Sequence, residues 1–204
     1  MPEYRTVKAL AEDEFVEKKS RFIGHIAPVA SEDEAVAFIN EMRCKYRDAT
    51  HNVYAYSLRE GQIKRAGDDG EPQGTGGVPV LNVINGAELV DVCCVVTRYF
   101  GGTLLGTGGL IRAYTKSAKD CLEKAGVKKM ILCDTVNLTF DYAYLNKIEH
   151  MLKTEDLVTK DKTFLENVTL TVISPKDKTG ALRENILNEF AGAVNFAVTG
   201  EIYN

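Results

Sequence analysis

Two copies of one phrase, Gly-Thr-Gly-Gly, lie within residues 67–114 and constrain what this chain can fold into. The first spans residues 74–77 and is followed by the apolar run VPVLNVI, and the second spans residues 106–109 and is followed by LIRAY. A glycine in regular structure costs about 1 kcal/mol relative to alanine because it loses more backbone entropy on folding. Such a density of glycines indicates that something approaches the backbone closely at both positions.

A glycine-rich turn that enters a helix leaves free amides at the positive end of the helix dipole, which favours an anion such as phosphate. Arg98 precedes the second turn and Arg112 lies one turn into its helix, and both guanidinium groups suit phosphate. Tyr99 and Phe100 are suited to stack a base or to pack. The candidate anion-binding residues are Gly74, Thr75, Gly76, Gly77, Arg98, Tyr99, Phe100, Gly101, Gly102, Gly106, Thr107, Gly108, Gly109 and Arg112. The alternative is that these glycines only permit tight packing of strand and helix.

An acidic loop with Asp68, Asp69 and Glu71 precedes the first turn. Because Mg²⁺ prefers carboxylate oxygens, Asp69 and Glu71 are candidates to hold this ion beside a bound anion. The alternative is an acidic surface turn, and no other metal or cofactor is expected. His51 has no metal-ligand spacing to another His or Cys, which favours a structural histidine. Possible supporting residues of the anion site are His51, Asp69, Glu71 and Gln73.

The sequence lacks the common nucleotide-binding and catalytic motifs. No Lys follows these glycines as a Walker A loop requires, and the dinucleotide phrase fails at Ile111 and at Pro79, where it needs glycine. There is no nucleophile elbow or HExxH, and Cys93 and Cys94 lie in the middle of a strand. Without a nucleophile–base set, the sequence favours a protein that is not an enzyme.

The composition of the 204 residues is that of a soluble globular protein, with a net charge of −4 at pH 7. This charge argues against a strongly basic nucleic-acid binder but is compatible with a local basic patch. The longest apolar stretch, at 92–97, is far too short to span a bilayer, so no membrane partner is expected. Five cysteines without C-x-x-C spacing predict buried, reduced thiols in a cytoplasmic protein.

The residue pattern predicts two α+β domains, with helices on one side of mainly antiparallel sheets. The run at 78–84 is apolar all round, which favours a buried helix, and the strand at 89–98 is apolar on both faces, as in a central strand. In the first domain, the other strands are predicted at 3–9, 14–18, 20–28, 49–59 and 62–67, and the other helices at 32–46 and 108–125.

After Gly126 the pattern restarts in the order βαββαβ, which is the ferredoxin-like arrangement. Gly192 is expected to cap its second helix. We place the domain boundary so that residues 1–130 hold the Gly-rich loops and residues 131–204 form the ferredoxin-like domain. The strands are predicted at 130–140, 156–164, 167–173 and 194–203, and the helices at 142–153 and 177–191.

Five motifs, in order, resemble those of the YigZ/IMPACT family, as in its bacterial two-domain members. They are KSRFI at 19–23, ATHNVYAY at 49–56, DGEPQGTGG at 69–77, VTRYFGG at 96–102 and LGTGGLIRAY at 105–114. The resemblance implies an N-terminal domain like the second domain of a small-subunit ribosomal protein and domain IV of elongation factor G. It implies a C-terminal domain like domain V of the same factor.

The resemblance also implies a role linked to translation. Eukaryotic relatives regulate translation by competing, through a protein contact, for the activator of an initiation-factor kinase. For bacterial members, nucleic-acid or ribosome binding is an inference from fold similarity. The leading hypothesis is a regulatory protein that binds RNA, the ribosome or a translation-related protein through its Gly-rich, Arg-flanked surface. The alternatives are an enzyme or small-ligand binder that recognises a phosphorylated metabolite or nucleotide there, and a pure protein–protein module.

Overall fold

The computed structural model describes residues 3–204 and contains two units, each of which combines helices with an antiparallel sheet. Tyr4–Lys129 form the N-terminal unit, and Met130–Asn204 form the C-terminal unit, with which Glu3 is grouped. This architecture confirms the predicted α+β fold class. Residues 1 and 2 of the predicted first domain lie outside the described part of the chain. No helix within residues 3–204 is long and apolar enough to cross a membrane.

The N-terminal unit is built around an antiparallel sheet. Its helices and strands are β1 (Glu3–Val7), β2 (Ala11–Glu17), β3 (Ser20–Pro28), α1 (Glu32–Lys45), β4 (His51–Ser57), β5 (Lys64–Gly67), α2 (Gly77–Gly86), β6 (Val92–Tyr99) and α3 (Thr107–Ala125). The sheet has the order β2-β3-β6-β4-β5, so β6 lies at its centre, as its apolar sequence predicts.

Helices cover both faces of this sheet. Cys94 and Val96 of β6 belong to the core that α2 and α3 complete, whereas Cys93 and Val95 belong to the core under α1. The expectation that the helices lie on one side is therefore wrong for this unit. A strand that is apolar on both faces needs a cover on each face, and α1 supplies the second one.

Helix α2 confirms the predicted helix at 78–84, but the helix is not buried all round. Val80 and Ile84 are buried in the core, whereas Val78 is 48% exposed and Asn82 is exposed. The sequence pattern indicates that the helix is apolar, but it does not show whether other parts of the chain pack against every side of it. An apolar side of α2 is consequently left open to solvent.

The C-terminal unit has the predicted ferredoxin-like arrangement. Its helices and strands are most of β7 (Val127–Phe140), α4 (Leu145–Thr154), β8 (Val158–Phe164), β9 (Val168–Pro175), α5 (Thr179–Phe190) and β10 (Asn195–Tyr203). Strands pair antiparallel in the order β10-β7-β9-β8, and side chains of α4 and α5 pack with this sheet into one core. The first left-handed residue after α5 is Ala191, with a φ of 46°, rather than the expected Gly192, which follows it.

Four of the five cysteines are buried, as predicted, and Cys44 on α1 is exposed. Burial raises the pKa of Cys93 to about 12, and the pKa of Cys94 also lies well above its ordinary value. These two thiols therefore stay protonated and unreactive in the centre of the sheet.

Close packing explains several of the glycines around the two turns. A Cβ atom on Gly101 would lie 2.0 Å from the carbonyl carbon of Lys19, and one on Gly77 would lie 2.7 Å from the amide nitrogen of Gly67. Since both neighbours are backbone, they have little freedom to move away. In contrast, nothing lies within 4 Å of such an atom on Gly102 or Gly106. The packing interpretation thus accounts for some of these glycines but not for all of them.

We expect Gly101→Ala to lower the free energy of unfolding by about 2–3 kcal/mol, because the new methyl group forces the backbone at Lys19 to shift. The matched control is Gly86→Ala at the end of α2, where a Cβ atom meets nothing within 4 Å. The control should be neutral or stabilising by up to about 1 kcal/mol. Urea unfolding of both variants measures the difference, and equal stabilities would contradict the packing assigned to Gly101.

Candidate anion-binding site

The first glycine turn binds an anion, and that anion belongs to the chain itself. The Asp68 carboxylate accepts hydrogen bonds from the amides of Gly74, Gly76 and Gly77 at 2.7, 3.0 and 2.8 Å. Burial by itself raises the pKa of Asp68, but the three amide hydrogen bonds lower it by more, so the net pKa lies below the ordinary value. The amides of the first turn therefore already donate to a carboxylate of the same chain, and the expectation of free amides there is not met.

The remaining acids of this loop also bond to protein groups. The carboxylate of Asp69 accepts from the backbone amide of Asn52 at 2.7 Å and from Nη2 of Arg43 at 2.9 Å. Glu71 is buried rather than part of a surface turn, with 7% of its area exposed. Within residues 3–204, no cluster of three or more His, Cys, Asp or Glu side chains is arranged for a metal ion. Oε1 of Glu71 also accepts hydrogen bonds, from two other side chains of the protein. Because protein donors already bond to both acids, Asp69 and Glu71 do not fit a Mg²⁺ site.

A buried ion pair joins the acidic loop to the strand before the second turn. Oε1 of Glu71 accepts from Nη1 of Arg98 at 2.6 Å and from the Tyr114 hydroxyl at 2.7 Å. Arg98 is only 4% exposed, and Tyr114 on α3 is fully buried. Burial and then the Glu71 carboxylate raise the pKa of Tyr114, so its hydroxyl stays protonated and donates. The guanidinium predicted to meet phosphate is consequently neutralised inside the protein.

Two aromatic rings and a serine complete the surroundings of Arg98. Its guanidinium carbon lies 5.5 Å from the ring centroid of Phe22 and 5.6 Å from that of Phe100. The Ser20 hydroxyl accepts from Nη2 of Arg98 at 3.4 Å and from the Gly101 amide at 3.1 Å. Of the two roles expected for Phe100, packing is therefore present, although 45% of the residue remains exposed.

His51 lies opposite Arg98 on the neighbouring strand and fixes the acidic loop. Its Nδ1 is 2.8 Å from the carbonyl oxygen of Asp69, and because a carbonyl can only accept, Nδ1 carries the hydrogen. Its Nε2 lies 3.8 Å from Oε1 of Glu71. His51 thus takes part in the polar network around Glu71, in agreement with a structural role.

The other predicted residues near the first turn make ordinary local contacts. The Thr75 hydroxyl donates to the carbonyl of Pro72 at 2.6 Å, and Gln73 is exposed. The Tyr99 hydroxyl donates to Asp48 at 2.8 Å, which holds its ring at the end of β6. Thr75 and Tyr99 therefore stabilise the loops instead of presenting free groups to a ligand.

The second glycine turn is open. Gly106 has a φ of 73° at the start of α3, and no side chain caps the helix amides within residues 3–204. Its other members form an exposed edge: Thr107 and Gly108 are exposed, and Gly109 is half-buried. Gly102, in the loop before the turn, is exposed as well. Unlike the first turn, this one leaves its amides available at the positive end of a 19-residue helix.

Unpaired cations lie beside the second turn. Arg112 is exposed, and its Nη1 would lie 3.9 Å from a Cβ atom on Gly108. Together with Lys18, Arg112 lines a pocket of about 220 Å³ that also includes Leu105 and Gly109. Neither Lys18 nor Arg112 forms an ion pair with another described residue, whereas Lys116 at the same pocket pairs with Asp120.

Sequence reasoning missed Lys18. It lies with Lys19 at the two-residue connection between β2 and β3, where Glu17 pairs with Ser20. Both lysines have positive φ values, of 46° and 67°, in a turn for which Asn-Gly is the usual signal. Two lysines are not a residue pair that predicts such a tight hairpin. The sequence therefore gives no reason to expect Lys18 next to residues 106–112.

Comparison with known proteins gives a consistent result for both units. The family model of the Impact N-terminal domain matches residues 18–122, and a model described as a domain of unknown function, DUF1949, matches residues 138–193. The IMPACT family member YvyE of Bacillus subtilis (strain 168) is 44% identical over 182 residues, which cover 89% of this chain and 84% of that protein.

Two further relatives extend this comparison. The IMPACT family member YigZ of Escherichia coli (strain K12) is 36% identical over 138 residues, covering 66% of this chain and 68% of that one. A crystal structure of a hypothetical protein is 28% identical and matches with a TM-score of 0.64 over 98% of both chains. The resemblance found in the five sequence motifs is thereby confirmed.

We expect Asp68→Asn to lower the free energy of unfolding at neutral pH by about 1–2 kcal/mol, as for the loss of a helix N-cap. Because folding lowers the pKa of Asp68, its stabilisation is present above the unfolded carboxyl pKa of about 3.9 and is lost as the pH falls through the lower folded-state pKa. The difference from the unmodified protein should therefore shrink in acid. Urea unfolding between pH 7 and pH 3 measures it.

The matched control is Glu41→Gln, which removes an exposed carboxylate from α1. This variant should keep the stability of the unmodified protein within about 0.5 kcal/mol across the same pH range. If Asp68→Asn behaved like this control, the three amide hydrogen bonds would not stabilise the first turn.

Proposed function

Because the chain belongs to the IMPACT family, we propose that it is a translation-associated regulatory protein that binds RNA or a ribosomal surface at its second glycine turn. The observation that carries this proposal is the contrast between the two turns. The first turn holds a carboxylate on three amides, and the second has the same four residues with no acceptor from the described chain. The first turn supports the view that such a turn takes an anion, and phosphate is the anion that RNA offers.

The cations beside the second turn support a phosphate ligand. Lys18 and Arg112 form no ion pair among residues 3–204, so an incoming phosphate displaces no existing partner of these cations. The exposed Glu17 lines the same pocket and is the one carboxylate of the described chain that such a phosphate meets there. Neutralising phosphates with lysine and arginine releases counterions, which is the main driving force of sequence-independent binding to nucleic acid. A protein with a net charge of −4 would bind RNA only where a local patch of this kind exists.

The loop between β6 and α3 supports RNA more than a free phosphate ion. Within it, Phe100 is 45% exposed and Leu104 is 81% exposed. Unstacked bases in single-stranded or looped RNA bind to apolar and aromatic side chains of this type, next to a basic groove. A free ion would gain nothing from these two side chains.

Arg98 acts in this proposal as a positioning residue. Its pairing with Glu71, which also accepts from Tyr114 of α3, fixes the end of β6 relative to α3. The Ser20 hydroxyl links the same guanidinium to the Gly101 amide at the start of the loop. The buried network therefore holds the loop that carries the second turn, while Lys18 and Arg112 meet the ligand.

A second candidate function is the recognition of a small phosphorylated ligand at the same turn. The pocket of about 220 Å³ beside Lys18 and Arg112 favours it, because a concave site suits a compact group such as a phosphate. A ligand at 100 times its Kd would stabilise the protein by about 2.7 kcal/mol, which a thermal-shift panel of nucleotides and phosphorylated metabolites detects.

The test of RNA or ribosome binding is the double variant Lys18→Gln, Arg112→Gln. We expect weaker co-sedimentation with ribosomes and weaker binding to a single-stranded RNA oligonucleotide. The slope of log K against log salt should become less steep by about 1.4, at about 0.7 for each lost phosphate contact on a single strand.

The matched control is Lys64→Gln, Arg65→Gln on β5, at the opposite edge of the sheet from β2. It makes the same change of net charge and should leave the salt slope unchanged. Equal binding by both double variants would overturn the proposal. Binding that survives high salt and nuclease would favour a translation-related protein partner, and a thermal shift without RNA binding would favour the small ligand.

A further inference from the structure

A groove of about 690 Å³ lies between α2 and α3, and the proposed function does not use it. Most of its lining is apolar, with Val78, Pro79 and Val83 from α2 and Ile111 and Leu122 from α3. Val78 and Ile111 are 48% and 42% exposed, so the groove opens to solvent. Apolar side chains that are exposed together in one groove are a feature of protein interaction sites.

The lining residues follow helical spacing on both sides. On α2 they include Val78, Asn82 and Gly86 at intervals of four, and on α3 they include Ile111 and Lys119 eight residues apart. The ten residues of α2 make the groove roughly 15 Å long, or almost three helical turns. The groove is thus a continuous channel along the whole of α2 rather than a local gap.

Helix α2 differs from an ordinary surface helix because it has no charged residue. Gly77–Gly86 reads GVPVLNVING, although Val78, Asn82 and Gly86 are exposed. A surface helix normally places charged and polar residues on its outer side, whereas a helix that is apolar on all sides is normally covered. The sequence of α2 therefore suits a helix that a partner covers.

Lys119 supplies the one charged group of the groove lining. Within residues 3–204 it forms no hydrogen bond or ion pair, in contrast to Lys116 and Lys124, which pair with Asp120 and Asp13. A single unpaired cation beside apolar side chains complements a single acidic group. It does not suit nucleic acid, which requires several cations for its phosphates.

We propose that this groove binds an amphipathic helix of a partner protein. Apolar side chains of that helix at i, i+3 or i+4, and i+7 fill the channel, and one Asp or Glu pairs with Lys119. Helices on both sides of the groove offer no free strand edge, so side-chain anchors rather than main-chain pairing determine binding. Three anchors over two turns match the length of α2.

The probe for this proposal is a phage-displayed library of random 16-residue peptides, selected on the full chain. Enriched peptides should show the helical apolar spacing together with an acidic residue. In fluorescence anisotropy, Val78→Asp should weaken their binding at least about 10-fold, because a charge in the channel opposes apolar contact. The matched control is Val36→Asp, since Val36 is 44% exposed on α1 and should not contribute.

A second variant, Lys119→Glu, tests the proposal even if Val78→Asp disturbs folding. It should weaken the same peptides about 10-fold, and replacing the peptide acid by Lys should restore their binding to this variant. Absence of such peptides, or peptides that bind both variants normally, would overturn the proposal. So would self-association of the chain that Val78→Asp abolishes, since a second copy would then fill the groove. None of these variants alters Lys18 or Arg112, so the outcome is separate from that of RNA binding.

Discussion

The buried pair of Glu71 and Arg98 is the interaction on which the candidate surface depends. One oxygen of Glu71 accepts from Arg98 on β6 and from Tyr114 on α3, so three segments meet at a single atom. Removing one member of such a pair leaves an uncompensated buried charge and typically costs about 3–5 kcal/mol. The Ser20 hydroxyl bonds to Arg98, the Tyr114 hydroxyl bonds to Glu71, and the Phe22 ring lies against the guanidinium. The buried Nε of Arg98 has no hydrogen-bond partner among the described residues.

The two glycine phrases are identical in sequence and opposite in state, and the difference comes from their neighbours. Asp68 lies six residues before the first phrase and accepts hydrogen bonds from the amides of that phrase. The loop before the second phrase contains no acid between Phe100 and Gly106. The sequence therefore already contains the difference, because an acid closely precedes the first phrase and none closely precedes the second. Its meaning becomes clear only when the hydrogen bonds are seen, because an acidic loop also fits a metal site or a surface turn.

Much of the fold could be predicted because hydrophobic periodicity and helix-end residues act locally. The order of strands and helices, the central position of β6 and the ferredoxin-like unit all followed from such patterns. Contacts across the sheet could not be predicted in the same way. The burial of Arg98, the position of Lys18 beside Arg112 and the open side of α2 depend on pairing between segments distant in sequence. Residue type alone predicts which contacts a side chain can make, not which partner it already has in the folded protein.

The closed and the open turn have different physical roles. A turn whose amides already hold Asp68 adds stability at neutral pH and has no free donor for a ligand. An open turn forgoes that stabilisation and needs rigid support from elsewhere, because ordering a loop at the moment of binding would weaken the affinity. Here the support comes from the Glu71–Arg98 pair and from the contact of Gly101 with the backbone at Lys19. The arginine predicted to bind a ligand is thus buried, and in the proposed function it positions the second turn while Arg112 and Lys18 are the exposed cations beside that turn.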